Sequence, residues 1–206
     1  MDIFETMQTC RAMRYLKPDP IPDALLDRVL FAATRASNPG NSQRWGFVVV
    51  RDAEQKQRIQ AAVSDAVRSV TEQAAEAARA EPDAVDPMNR RILAGAGHLL
   101  DHLHLAPVIV VVCAHNDYPP GAPPQLEYVY STVYPASQNL ILAARALGLG
   151  TVFTTFNLSC EPALREILAL PEDVQMGTVI PLGYPERDFG PVTRRPVAEV
   201  VHYDRW

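Results

Sequence analysis

Residues 105 to 114 read LAPVIVVVCA, the longest uninterrupted apolar stretch in the chain. Ten residues fall far short of the roughly 20 that a membrane-crossing helix needs. Valines and isoleucine in succession favour an extended chain, and apolarity at consecutive rather than alternate positions marks a buried strand. Whatever else the chain forms must therefore cover this strand.

The covering elements are mostly helical. DIFETMQTC (2 to 10) reads as a short helix with Ile3, Phe4 and Met7 on one side. After the KPDPIP turn, Pro22-Asp23 opens a second helix. Its Leu25, Leu26, Val29, Leu30 and Ala33 recur at the spacing of one buried face, and ASNPGN ends it. WGFVVVRD follows as the first strand. Residues 53 to 80 predict a long Ala-, Glu- and Arg-rich helix that breaks at EPDAVDP, and a second helical stretch over 87 to 104 leads into the strand at 107 to 114.

Beyond the proline-rich loop at 118 to 124, YVYSTVYPASQNLILAARALG predicts a long helix that ends at Gly148 and kinks or restarts at Pro135. TVFTT reads as a short strand, EPALREIL as a helix and MGTVIPLGYP as the last strand. The tail from Asp188 to Trp206 is either disordered or laid over another surface, and VAEVVHYDRW is apolar enough to favour docking. No repeat or linker divides the 206 residues, so one domain over 1 to 206 is expected, an α+β fold with helices packed on a modest sheet.

Charge narrows the partners. Lys plus Arg is 19 and Asp plus Glu is 24, a net charge of −5, and no basic face for nucleic acid is visible. With no apolar signal region, no membrane partner is expected. Cys10, Cys113 and Cys160 are scattered without CxxC spacing, as reduced thiols of a cytoplasmic protein are. No GxxxxGK[ST] loop and no GxSxG elbow is present. GAGH (95 to 98) and GLGT (148 to 151) lack the strand–loop–helix setting of a dinucleotide site. His98 and His102, with Asp101 and His104 nearby, have a spacing that could share a metal, but without an HExxH pattern they read as surface or interface histidines, and no metal is expected.

Of the 19 cationic side chains only Lys17 and Lys56 are lysines, so positive charge here is almost all guanidinium, the group that grips anions bidentately. Arg11 and Arg14, three apart at the end of the first helix, suit an anion site. Equally, they suit a solvated helix face whose stems cover apolar surface. The pair alone leaves both open.

Four segments read together resemble the FMN-dependent nitroreductase family. CRAMRYL (10 to 16) is similar to its R-R-S-x-R-x-F signature, and ASNPGNSQRWGFVVV (36 to 50) to its A-P-S-x-x-N-x-Q-P-W-x-F-x-V-V loop and strand. ASQNLILAARALGLGTVFTT (136 to 155) resembles its core helix running into a strand, and LGYPERDFGPVTRRPVAEVV (182 to 201) its L-G-Y-P strand end and R-x-P tail. The resemblance implies a nitroreductase-like fold: a central, mostly antiparallel sheet packed by helices, in an intertwined homodimer whose C-terminal tail reaches the partner.

It also implies FMN in a cleft between two subunits. Arg11, with the backbone of Ala12 and Met13, would hold the phosphate and ribityl chain, Arg14 would sit close by, and Arg194 would close on the phosphate from the C-terminal side. Ser37, Asn38, Pro39 and Asn41 would come from the second subunit, with Gln43 supporting that loop. Phe153, Thr154 and Thr155 match the stretch beside the central ring, where Thr154 or Thr155 would bond flavin N5, and no other catalytic residue is assigned. Two departures stand out: Ser37-Asn38-Pro39 replaces P-S-S or P-S-A, and Arg44 replaces the proline before tryptophan, adding a cation near the mouth of the site.

The implied activity is oxidoreduction with NADH or NADPH as donor and a small aromatic oxidant, nitroaromatic or quinone, as acceptor, both using one pocket in turn. A reductive dehalogenase resembling iodotyrosine deiodinase is the alternative within the family. That branch clamps its substrate with a Glu, Tyr and Lys lid, and residues 53 to 104 contain no tyrosine. A flavin-binding protein without turnover is the alternative outside it.

Overall fold

A computed structural model describes residues 1–80 and 86–206, with side chains described throughout except at 68–75, 77–80 and 87. The apolar run forms β3 (Val108–His115), the centre of a five-stranded sheet. The sheet order is β1 (Leu16–Lys17), β5 (Val174–Pro185), β3, β2 (Trp45–Val50), with β4 (Gly150–Thr151) also on β5, and every strand pair is antiparallel.

Alternation along β3 splits the core in two. Val108, Val110, Val112 and Ala114 face α2 (Asp23–Ala33) and α5 (Leu126–Ala146), meeting Leu26, Val29, Val133 and Leu140. Ile109, Val111 and Cys113 face α3 (Ala53–Ala80), α4 (Pro87–His102) and α6 (Asn157–Ile167), meeting Ile59, Val63, Leu99 and Leu164. Helices on both faces explain why β3 carries no polar stripe. The seven-residue α1 (Ile3–Thr9) lies outside both cores, with Phe4 78% exposed.

Three expectations are corrected. The long helix runs through Pro135 without a restart, because buried Thr132, Val133, Ala136 and Ser137 hold both sides of it in the core. The strand expected over 151 to 155 is reduced to β4, and the chain rejoins the sheet only at a bridge between Thr154 and Val179. Lys17, expected to open the turn, instead forms an edge strand with Leu16. The expected break at EPDAVDP falls chiefly on 81–85, outside the described residues.

The thiols follow burial. Cys113 is pushed up to about 12 and Cys160 to about 11 by desolvation. Burial also raises half-buried Cys10, against the charges of Arg145 and Arg194. All three are therefore thiols at pH 8, and a disulfide reagent such as dithiobis-nitrobenzoate should titrate at most Cys10 quickly in the native protein. Two or three fast thiols would contradict this packing.

Candidate active site

The segment between α1 and β1 is held against the sheet by the Met13 N–H, which donates to the Thr151 carbonyl at 2.9 Å, and by a parallel bridge from Ala12 to Thr151. Met13 is buried while Arg11 and Ala12 are exposed, so the anchored residue fixes its neighbours at the surface. α4 passes above, and the chain leaving β5 passes beside it. Together they enclose a cavity of about 440 Å³ lined by Arg11 to Tyr15, by Met88, Arg91, Ile92, Ala94 and Gly95 of α4, and by Arg187 and Asp188.

Four guanidiniums thus face one carboxylate, and among the described residues none of the four makes an ion pair. Burial, and then the charge of Arg11, hold Arg14 below its ordinary pKa. It remains a cation, but one whose environment favours an arriving anion. Arg187 is fixed by stacking 3.8 Å over the Tyr15 ring, which in turn stacks on His98 at 4.0 Å, and His98 on His102 at 4.1 Å. The histidines thus belong to an aromatic column that ties α4 to the Arg11–Tyr15 segment.

Gly95 completes the wall. A Cβ there would lie 2.9 Å from Arg14 Cδ, so the arginine stem rests directly on the helix backbone. Gly97, one residue beyond its neighbour, has open space where its Cβ would be. Gly97→Ala should raise helix stability by about 0.5–1 kcal/mol and leave the cavity intact. Gly95→Ala must displace Arg14, and is expected to weaken anion binding in the cavity about tenfold, part of what a charged hydrogen bond contributes. Fluorescence titration with FMN compares the two, and equal affinities would show that Arg14 has no role in binding.

The tail crosses the same region. Val192 N–H donates to the Gln8 carbonyl at 2.9 Å, the Arg145 guanidinium lies 4.0 Å over Phe189, and Gly190 approaches Arg11. Arg194 is exposed, donates to the Thr193 carbonyl, and lies near enough to Cys10 for its charge to lower that thiol's pKa. Beyond it the tail is exposed, with Val197 at 73%, Tyr203 at 84% and Trp206 at 99%. Among the described residues these three side chains stay largely uncovered.

The other candidate residues lie elsewhere. Asn41 and Gln43 line a separate cavity with Thr34, Arg35 and Trp45. Asn38 braces this loop, its Oδ1 accepting from Gln43 N–H at 2.8 Å and its Nδ2 donating to the Ala36 carbonyl. Ser37 and Asn41 are exposed and Pro39 half-buried. Thr154 is buried; its hydroxyl donates to the Val179 carbonyl at 2.6 Å and its carbonyl accepts from Thr178. That hydroxyl is committed to the sheet, whereas Thr155 is exposed, and exposed Phe153 packs edge-on against Tyr134. Arg44 is not a spare cation: it is bound to Asp117 through two nitrogens, one at 2.6 Å.

The residues present fit FMN. Unpaired guanidiniums match a phosphate bearing roughly −1.5 to −2 charges, and the cavity lies within the roughly 300–1,000 Å³ range of cofactor sites. Sequence reasoning missed the α4 wall, whose Gly95 and Arg91 give no local signal.

Comparison with known proteins accords with this geometry. The model of the Nitroreductase family matches residues 8–184. A protein of Archaeoglobus fulgidus named "Putative NADH dehydrogenase/NAD(P)H nitroreductase" is 28% identical over 213 residues, covering 100% of this chain and 99% of its own. Iodotyrosine deiodinase 1 of Rattus norvegicus is 28% identical over 193 residues, covering 90% of this chain but 63% of its own. A crystal structure of iodotyrosine deiodinase bound to FMN and 3-iodo-L-tyrosine superposes with a TM-score of 0.77 at 21% identity, over 100% of both chains.

Proposed function

The chain belongs to the Nitroreductase family and is an FMN-dependent oxidoreductase, and we propose that two copies of it form an enzyme carrying hydride from NADH or NADPH to nitroaromatic or quinone acceptors. The observation that carries this reading is the cavity of unpaired guanidiniums at the end of α1, in a chain whose net charge is −5. FMN, when bound, supplies hydride acceptance and onward delivery at N5, chemistry no side chain provides.

The chain's own residues bind and orient. Arg11 and Arg194 would hold the phosphate, with the backbone of Ala12 and Met13 alongside, and Arg14, braced on Gly95, would hold positive charge close by. Thr155, exposed where the Thr154 hydroxyl is committed, would be the threonine free to contact N5. Ser37, Pro39 and Asn41 of a second copy, on a loop braced by Asn38, complete the cleft. Of these, Asn41 lines a cavity separate from that of the guanidiniums, which supports such sharing. Exposed Ile3, Phe4 and Met7 of α1, Phe31 of α2 and the tail supply apolar surface for the second copy to cover.

Reductive dehalogenation is the second reading, supported by the likeness to rat iodotyrosine deiodinase 1. Against it, α4 offers the cavity Met88, Arg91 and Ile92, not a tyrosine. The test is the visible spectrum of the purified protein under anaerobic conditions. Bleaching of a bound flavin by NADH or NADPH, followed by reoxidation with a nitroaromatic or quinone, is expected. Reoxidation by 3-iodo-L-tyrosine alone favours the dehalogenase, and a flavin inert to both nucleotides overturns the reductase.

A further inference from the structure

The cavity holds more positive charge than the cofactor needs. Arg11 and Arg14 lie on one side of it, and Arg91 on α4 and Arg187 after β5 lie on the others, against the single carboxylate of Asp188. One phosphomonoester neutralises at most about two of these charges. Stacked on Tyr15, Arg187 keeps a fixed direction. Arg91 is exposed, has no ion pair among the described residues, and lies one turn from Met88 and next to Ile92, whose side chains are 48% and 43% exposed. A cation beside two uncovered apolar side chains, all on a wall of the flavin cavity, is a recognition element for a flat ring with an acidic group.

Resting on the flavin reading above, we propose that the acceptor of this enzyme is an anionic aromatic compound, such as a ring carboxylate. Its acid group pairs with Arg91 while its ring lies on Met88 and Ile92. The forked guanidinium matches a carboxylate through two parallel N–H donors, and a site built for the charged acid rejects its neutral amide. Arg91 is then a specificity-determining residue, separate from the arginines that hold the cofactor. The dinucleotide donor also carries negative charge, so the assignment to the acceptor needs its own control.

The test is titration calorimetry of the FMN-loaded protein with benzoate, with benzamide and with NAD+, in the parent chain and in Arg91→Gln, after flavin occupancy has been read from absorbance. Benzoate should bind at least about tenfold tighter than benzamide in the parent. Arg91→Gln should reduce that ratio to near one while occupancy and NAD+ affinity stay unchanged. Equal affinities for benzoate and benzamide in the flavin-loaded parent overturn the inference alone. So does a benzoate preference that survives Arg91→Gln, or a variant that loses NAD+ or FMN instead. A parent chain that takes up no FMN overturns the flavin reading and this inference with it.

Discussion

Arg11→Ala and Arg194→Ala are each expected to purify as largely flavin-free protein. The cavity at the end of α1 gathers guanidiniums that make no ion pair among the described residues, and the tail delivers Arg194 close to Cys10, next in sequence to Arg11. A charged hydrogen bond lost from a bound phosphate costs about 1.5–3 kcal/mol, which is about 10- to 150-fold in affinity. Either substitution removes such a bond, and neither leaves a buried group unpaired, since both side chains are exposed. Folding should therefore survive. Flavin absorbance after gel filtration, with circular dichroism to confirm the fold, reads the outcome directly. Full occupancy in either variant would remove that arginine from the phosphate site.

Gly177→Ala should produce the largest loss of stability. Gly177 is the extra residue of a bulge: Val112 pairs with Thr178 and Cys113 with Met176, leaving 177 unpaired between them. A Cβ there would lie 2.2 Å from Val133 Cγ2 and 3.3 Å from the Val112 carbonyl oxygen, so α5 presses on β5 where only glycine fits. Overpacking of this kind costs about 1–3 kcal/mol and occasionally more. In a domain of this size each kcal/mol moves the melting temperature by about 2–4 °C, so a drop of about 2–12 °C is expected. The same bulge precedes Thr178 and Val179, which hold Thr154 through two hydrogen bonds. The variant should accordingly lose flavin affinity as well. Melting followed at saturating FMN separates the two effects. An unchanged midpoint would mean that α5 stands further from the sheet than it does here.

How much of this could be read from the sequence depends on how local the cause is. β3 was legible because consecutive apolar β-branched residues admit few alternatives, and α2 because Leu26, Val29 and Ala33 repeat at the helical period. β1 and β4, two residues each, exist only because β5 offers them an edge. Pro135 is a local breaker overruled by the core on both sides of it. The arginines at the end of α1 were legible as chemistry, yet their setting was not. GAGH looked like a stray piece of a phosphate loop, while Gly95 serves as the seat of Arg14, a contact between residues far apart in the chain. Asn38, which matched a site position, and Arg44, expected to add a cation near the mouth of the site, show the converse: both are engaged in local bracing, to Gln43 and Asp117.

The central claim is an FMN site built from two copies of the chain, and titration of the apo-protein with FMN coupled to light scattering tests it most directly. Saturation at one FMN per chain, in a particle of twice 22.7 kDa, is the expected result. A saturated particle with the mass of a single chain would contradict the shared cleft, and a chain that takes up no FMN would contradict the site itself.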